Sequence, residues 1–552
     1  MLHKTICCCL LMAAIFGGMI AADDRTDMKE KAMAEKCRIT IHTNKVIHPR
    51  FGGVGFHVFH HVHPTSKEHL EQVIAKRWRE INPSFARLND RWDWDKEALD
   101  EVASHLLRLK DTGTEVYMTT WGPKDTEEGE ERIAYAKKVV DNLEYLVREK
   151  GATNIKYYCM TNELSMKGWA ALRNDLPKFK DYHQKLFDEL KSRDLDIKLL
   201  ASDASPINYW NTIEWAAENM DDITGVYGGH HYINKYKLED ETFYPWFLSR
   251  VKWGTGIARE KGKDFIMGEF GCKQDGRTID GVKRDLCIYW DTPQEPLVGI
   301  QLSEAVMAAL NGGVYGLGNW TFTDFPDSYS DRYVNKWGTF KWSGTDYSTR
   351  AHYYAYGLLT KFFRGPATVF EVDSGDELLR VAALRHHNGQ TCSIAIVSRK
   401  TVDLPVTIAL DGESLNTEFR RYVYDPENVP YHPFGDLQEP AGKIAMEDGI
   451  INDAIAAGTL TVYTTAYDEK PPAAVKGLTV EKNHLKWQAN TEPDFCYYRI
   501  YRSTQADFTP DAETRIGSTV AIEFRDEEAG INGKYYYKIV AVDQSGNASE
   551  PE

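Results

Sequence analysis

Between Phe51 and about residue 360 the sequence switches repeatedly between short, apolar, β-prone runs and longer amphipathic stretches. The strand-like runs are GGVGFHV, SFARLND, TEVYMTTWG, IKYYCMTNE, IKLLASDAS, ITGVYGGHHY, KDFIMGEFG and GVYGLGNWTF. The segments between them, such as KEALDEVASHLLRLKDTG and ERIAYAKKVVDNLEYLVREKG, place apolar residues at i, i+3, i+4 and i+7. Several end in glycine, as a helix C-cap does. Eight strands alternating with helices predict an α/β fold, a (β/α)8 barrel over residues 51–361. A doubly wound open sheet is the competing arrangement. It usually carries a glycine-rich phosphate loop after its first strand. FGGVGFH has glycines without that spacing.

The pattern changes after the barrel segment. ELLRVAALRHHNGQTCSIAIVSR and LPVTIALDG alternate with period two, which predicts a β-sandwich over 362–468. Residues 23–50 read as a charged leader followed by a strand, CRITIHTNKVI, that can join that sandwich. DEKPPAAVKG is a linker. Residues 469–552 hold short strands, an early Trp, a Tyr-rich late strand and a terminal DQSGNASEP; they resemble a fibronectin type III module, expected to act as a spacer.

Residues 1–22 have a basic flank, an apolar run from Ile6 to Ile20 and small residues Ala21 and Ala22. That layout predicts a secretory signal peptide and a secreted or periplasmic protein; the run is short for a membrane anchor. Cys7, Cys8 and Cys9 come too early to be a lipid-attachment site. Cys37, Cys159, Cys272, Cys287, Cys392 and Cys496 show no CxxC and read as buried thiols or occasional bridges. The net charge of −16 argues against nucleic acid or an anionic membrane as partner, since both call for a basic face. No later stretch is long enough to span a bilayer, and the sequence carries no mark of an oligomeric state.

In a (β/α)8 barrel the chemistry lies at the C-terminal strand ends. Those ends offer His57, then Arg87, Asn89 and Asp90, then Trp121, then Asn162 and Glu163. Further round they offer His230, His231 and Tyr232, then Glu269, then Asn319, Trp320 and Asp324. Glu163 and Glu269 each close an apolar strand, where an unpaired carboxylate is costly. Two carboxyls at one mouth are what hydrolysis of a glycosidic bond requires: one protonates the leaving oxygen, the other attacks the anomeric carbon or activates water. Arg87 can hold Glu269 ionised and lower its pKa. His230 and Tyr232, two apart, share a strand face and can reach a carboxylate or the substrate. Asn162 can bind a sugar hydroxyl, His57 can line the sugar site, and Trp121 and Trp320 offer flat faces for a sugar ring.

These residues resemble the retaining glycoside hydrolases of clan A. Asn162–Glu163 in CMTNEL and Glu269 in IMGEFG fall where that clan has its acid/base and its nucleophile. Arg87 in ARLND, Tyr232 in GGHHY and Trp320 in GNWTF fit its supporting positions. NWTFTDFPD followed by YYAYGLLTKF looks most like family 39, with families 30, 51 and 5 as relatives; the first three often pair the barrel with a β-sandwich. Two features depart from the pattern: Leu164 stands where many relatives have proline, and a long loop from Thr323 to Trp342 follows strand eight. The resemblance implies a β-glycosidase acting by double displacement on a poly- or oligosaccharide, with no cofactor and no metal.

Two other readings compete. A metal-dependent hydrolase could draw ligands from His57, His60, His61 and His63, but there is no HExxH and no Asp/His set recurs at other strand ends. A carbohydrate-binding protein without catalysis would not need both glutamates.

Overall fold

Eight parallel strands close into a ring in a computed structural model that describes residues 36–58, 67–91, 93–120, 130–165, 169–234, 242–273, 277–279, 282–284, 296–327, 330–342, 346–530 and 533–552. The strands are β1 (Cys37–Val58), β2 (Phe85–Asp90), β3 (Glu115–Thr120), β4 (Ile155–Cys159), β5 (Lys198–Ala204), β6 (Val226–Gly229), β7 (Phe265–Lys273) and β8 (Gly316–Asn319). Each pairs in parallel with the next, and β8 pairs back onto β1. The chain is thus a (β/α)8 barrel with further β domains.

The glycines of FGGVGFH serve the barrel wall. A Cβ on Gly55 would stand 1.6 Å from the Phe85 carbonyl oxygen, so only glycine lets β1 lie this close to β2. Inside the barrel Phe85, Tyr117, Tyr157, Cys159, Leu200, Val226, Ile266 and Tyr315 form a separate core cluster. It plugs the interior below the mouth and leaves the strand ends above it for polar groups.

The helices form for reasons visible in their sequences. α1 (Lys96–Asp111) starts at Asp95, whose side chain accepts from the Ala98 N–H at 2.9 Å, and it buries Leu99, Val102, Ala103, Leu106 and Leu109. α2 (Leu176–Ser192) is capped by Asp175, carries Pro177 in its first turn and buries Phe179, Tyr182, His183, Leu186 and Leu190. α3 (Leu297–Gly312) and α4 (Ala351–Phe362) are buried almost all round. They lie between the barrel and a second β domain, where Glu304 of α3 meets Arg380 at 2.9 Å.

That second domain is antiparallel except for one strand from the N-terminus. The first half of β1 pairs in parallel with Leu404–Asp411 and antiparallel with Arg364–Asp373. One long strand therefore serves both the sandwich and the barrel. The last segment forms two three-stranded sheets, with its own core around Leu485, Trp487, Tyr498 and Ile539. No described helix is long and apolar enough to cross a membrane. Among the described residues Cys37, Cys159, Cys272, Cys392 and Cys496 are free thiols; Cys287 lies outside them.

Candidate active site

Two local irregularities aim the carboxylates. Gly316 and Leu317 of β8 pair with Ile266 and Met267, but Asn319 pairs with Phe270. β7 thus carries one extra residue between Met267 and Phe270, a bulge that breaks the alternation where Glu269 stands. β5 has a second bulge: Ser202 pairs with Gly228 and Ala204 with Gly229, leaving Asp203 as the extra residue with φ 59°. Glu163, just past the end of β4, also has a left-handed backbone, φ 54°. That conformation is uncommon for a residue other than Gly, Asn or Asp, and such outliers gather at functional sites.

The side chains form one buried network. Arg87 is fully buried and donates to Glu269 Oε2 at 2.7 Å, to His57 Nδ1 at 3.1 Å, to the Asn162 amide oxygen and to Asp203 Oδ2 at 3.4 Å. Tyr232 donates its hydroxyl to Glu269 Oε1. His230 Nδ1 lies 3.3 Å from Glu163 Oε1 and 3.8 Å from Glu269 Oε2, and its Nε2 lies 2.6 Å from Asp203 Oδ1. A carboxylate oxygen of Glu163, one of Glu269 and a ring nitrogen of His230 all fall within 4.8 Å of one another.

Charge follows from this packing. Burial works against a charged His230, yet Asp203 and Glu163 push its pKa up to about 9. Burial likewise opposes the Asp203 carboxylate, but His230 and Arg87 bring it down to about 2. Burial raises Glu269 above its ordinary value despite Arg87 and His230. Against the sequence expectation, then, the Arg87 pairing is present but does not outweigh desolvation. For Glu163, burial is overcome by the hydrogen bond and charge of His230, and its pKa lies below the ordinary value. With the two carboxyls this close, their ionisations belong to the pair.

No protein-family model matches the chain, and no curated protein matches it. Solved structures do. A bacterial orthologue of human α-L-iduronidase matches 93% of this chain and 98% of its own, at a TM-score of 0.57 and 14% identity. A family 51 α-L-arabinofuranosidase from Thermotoga petrophila RKU-1 matches 78% of this chain and 99% of its own, at 0.57 and 14%. A glycoside hydrolase family 30 subfamily 8 xylanase from Clostridium acetobutylicum matches 77% and 99%, at 0.54 and 15%. At these identities the likeness is one of fold.

Of the residues singled out in the sequence, Arg87, His57, Asn162, Glu163, His230, Tyr232 and Glu269 come together in this network. Asn162 is buried and turns its amide oxygen to Arg87. His57 is fully buried, its ring 4.4 Å from the half-buried ring of Trp320. Trp121 lies outside the described residues, as do His60, His61 and His63. His57 Nδ1 accepts from the Arg87 guanidinium, which already supplies the positive charge a metal ion would bring to that nitrogen.

Sequence reasoning missed three residues here. Asp203 joins Arg87 to His230; its one signal is an acidic residue inside the apolar run KLLASDAS. The fully buried Tyr117 has its ring 5.5 Å from the Arg87 guanidinium. Trp337 sets its ring edge-on to Tyr232 at 5.4 Å. It is held there by the loop after β8, which Asp324 and Arg350 pin with two contacts of 2.7 and 2.8 Å.

Proposed function

We propose that this chain is a retaining glycoside hydrolase that cleaves O-glycosidic bonds of a poly- or oligosaccharide, with Glu163 as acid/base and Glu269 as nucleophile. The observation that carries this is the approach of Glu163 and Glu269 to within 4.8 Å, oxygen to oxygen. Retaining enzymes place their carboxyls about 5–5.5 Å apart, whereas inverting ones need about 6.5–9.5 Å to admit a water.

The surroundings separate the two roles. Glu269 takes hydrogen bonds from Arg87 and Tyr232 on its two oxygens, which fixes its carboxylate for attack at the anomeric carbon. Glu163 has the more exposed side chain, 16% against 6%. Burial raises Glu269 while His230 lowers Glu163, and the two carboxyls ionise as a pair. A glycosidic oxygen placed against Glu163 can accept a hydrogen bond only from its protonated form, so productive binding selects Glu163 as the proton's owner. Glu163 then protonates the leaving oxygen as Glu269 forms a covalent glycosyl ester. In the second half Glu163 removes a proton from water, and configuration is retained.

The finer parts of the reading belong to the same proposal. These are preference for β-glycosides, kinship to family 39, export through residues 1–22 and a fibronectin type III-like final module. The test is a screen of aryl β-glycosides, aryl α-L-glycosides and polysaccharides with wild type, Glu163→Gln and Glu269→Gln. Expected are chelator-insensitive activity, loss of it in both variants, and a product anomer of retained configuration by proton NMR. An inverted product, chelator sensitivity, or full activity in Glu269→Gln overturns the proposal.

A further inference from the structure

The proposed reaction moves one negative charge back and forth between two carboxyls. In the first step a proton passes from Glu163 to the leaving oxygen, a Glu269 oxygen bonds to the anomeric carbon, and the bond to the leaving group breaks. The charge vanishes from Glu269, now an ester, and appears on Glu163. In the second step the oxygen of water bonds to that carbon, its proton goes to Glu163, and the ester bond breaks. The charge returns to Glu269.

His230 stands beside both places, 3.3 Å from Glu163 and 3.8 Å from Glu269 through the same ring nitrogen. Its other nitrogen faces Asp203 at 2.6 Å. A ring with carboxyl oxygens close to both nitrogens is favoured as a cation, because an ionised carboxylate on either side stabilises the positive charge. Asp203 does more than face the ring. Its Oδ2 also accepts from the Glu163 backbone N–H and from Arg87 Nη2, each at 3.4 Å. The groups around His230 are therefore Asp203 from β5, Glu163 beyond β4, Glu269 from β7, Arg87 from β2 and, behind Asp203, Tyr117 from β3. Three carboxyls against one guanidinium leave room for a second cation.

We propose that Asp203 is a positioning residue that holds the His230 ring as a cation between Glu163 and Glu269, so that one imidazolium faces whichever glutamate is charged at each step. A buried imidazole without such a partner prefers its neutral form. The bulge and left-handed backbone at Asp203 are the local means of bringing its carboxylate to that ring.

The kinetic arm of the test rests on the glycosidase reading; the spectroscopic arm does not. In the full chain labelled with 15N-histidine, His230 is expected to stay doubly protonated through neutral pH and to lose a proton near pH 9. In Asp203→Asn it is expected to titrate at or below about pH 6.5. The alkaline limb of kcat/KM then moves up by about one pH unit, because the glutamate pair loses its neighbouring cation, and kcat falls by about tenfold or more. Asp203→Glu is expected to restore the imidazolium in part. A neutral His230 at pH 7 in wild type overturns the proposal. So does an Asp203→Asn protein whose His230 titration and pH profile are unmoved. Should Asp203→Asn fail to fold, the wild-type titration decides. A wild type without activity on any glycoside counts against the proposed function, while the titration still tests Asp203.

Discussion

Replacing Arg87 by lysine keeps the positive charge and removes the fork, which makes it a sharp test of how the nucleophile is held. The guanidinium donates to Glu269, His57, Asn162 and Asp203 from two nitrogens that point in fixed directions. An ammonium on a shorter, flexible stem can keep the Glu269 contact or the Asn162 and Asp203 pair, but not the whole set. A hydrogen bond to a charged group contributes about 1.5–3 kcal/mol, so losing two removes about 3–6 kcal/mol from the alignment of the site. If that alignment matters mainly in the transition state, Arg87→Lys lowers kcat/KM by about 10²- to 10⁴-fold, with the loss mostly in kcat. Folding stability should fall less, by about 1–3 kcal/mol, because the charge opposite Asp203 and Glu269 persists. Steady-state kinetics on an aryl glycoside, beside a urea unfolding curve, separates the two effects. A variant within threefold of wild type in kcat/KM, or one that changes KM alone, refutes the argument.

Three further outcomes are expected. Glu163→Asn should abolish activity yet change stability by no more than about 1 kcal/mol, because asparagine's tolerance of the left-handed backbone at φ 54° offsets the lost contact to His230; a larger loss counts against strain at this position. Asp436→Ala should destabilise the protein by about 3–5 kcal/mol in chemical unfolding, since it leaves Lys76, Arg499 and Arg515 facing one another without their shared carboxylate. The raised His230 pKa gives stability that is fully present below its unfolded value of 6.5 and lost as pH rises through about 9. That contribution is about 3 kcal/mol, so unfolding free energy should decline between pH 6.5 and 9, and Asp203→Asn should flatten the slope.

Much of the barrel was legible because its signal is local. A strand of β-formers and a helix with an apolar stripe declare themselves within ten to twenty residues. Glu163 and Glu269 were legible for a related reason: a carboxylate at the tip of an apolar run is conspicuous wherever the chain goes next. Arg87 beside Glu269 was expected because both stand at C-terminal strand ends of one barrel mouth. Asp203 was hidden because its role depends on register. In KLLASDAS an aspartate among small residues reads as an ordinary strand end. Only the slip between Ser202–Gly228 and Ala204–Gly229, set by a neighbouring strand, turns it toward His230. Trp337 was hidden for a different reason, since a tertiary pair, Asp324 with Arg350, places its loop. The proton's location within the glutamate pair was least legible of all. It is a balance of burial against Arg87, His230 and Asp203, and no one residue type signals it.

The final module also reads differently once its contacts are known. A spacer is expected to touch its neighbours through the linker alone. Here Asp436, in the sandwich segment, meets Lys76 of the barrel helix Lys76–Ile81 at 2.5 Å and Arg515 of the last domain at 2.6 Å. Tyr497 adds a hydroxyl contact to the same carboxylate at 3.1 Å. Gln544 donates to the Arg79 carbonyl at 2.7 Å, and the Val520 N–H reaches the Glu71 carbonyl at 3.3 Å. All three folding units therefore share one buried ionic junction. Because a buried carboxylate among three cations is tolerated only while every partner stays in place, the junction selects a single relative arrangement of the domains. The barrel elements it braces, Leu70–Ala75 and Lys76–Ile81, lead directly into β2, the strand that carries Arg87. These contacts tie the last segment to the helix that leads into the strand carrying Arg87.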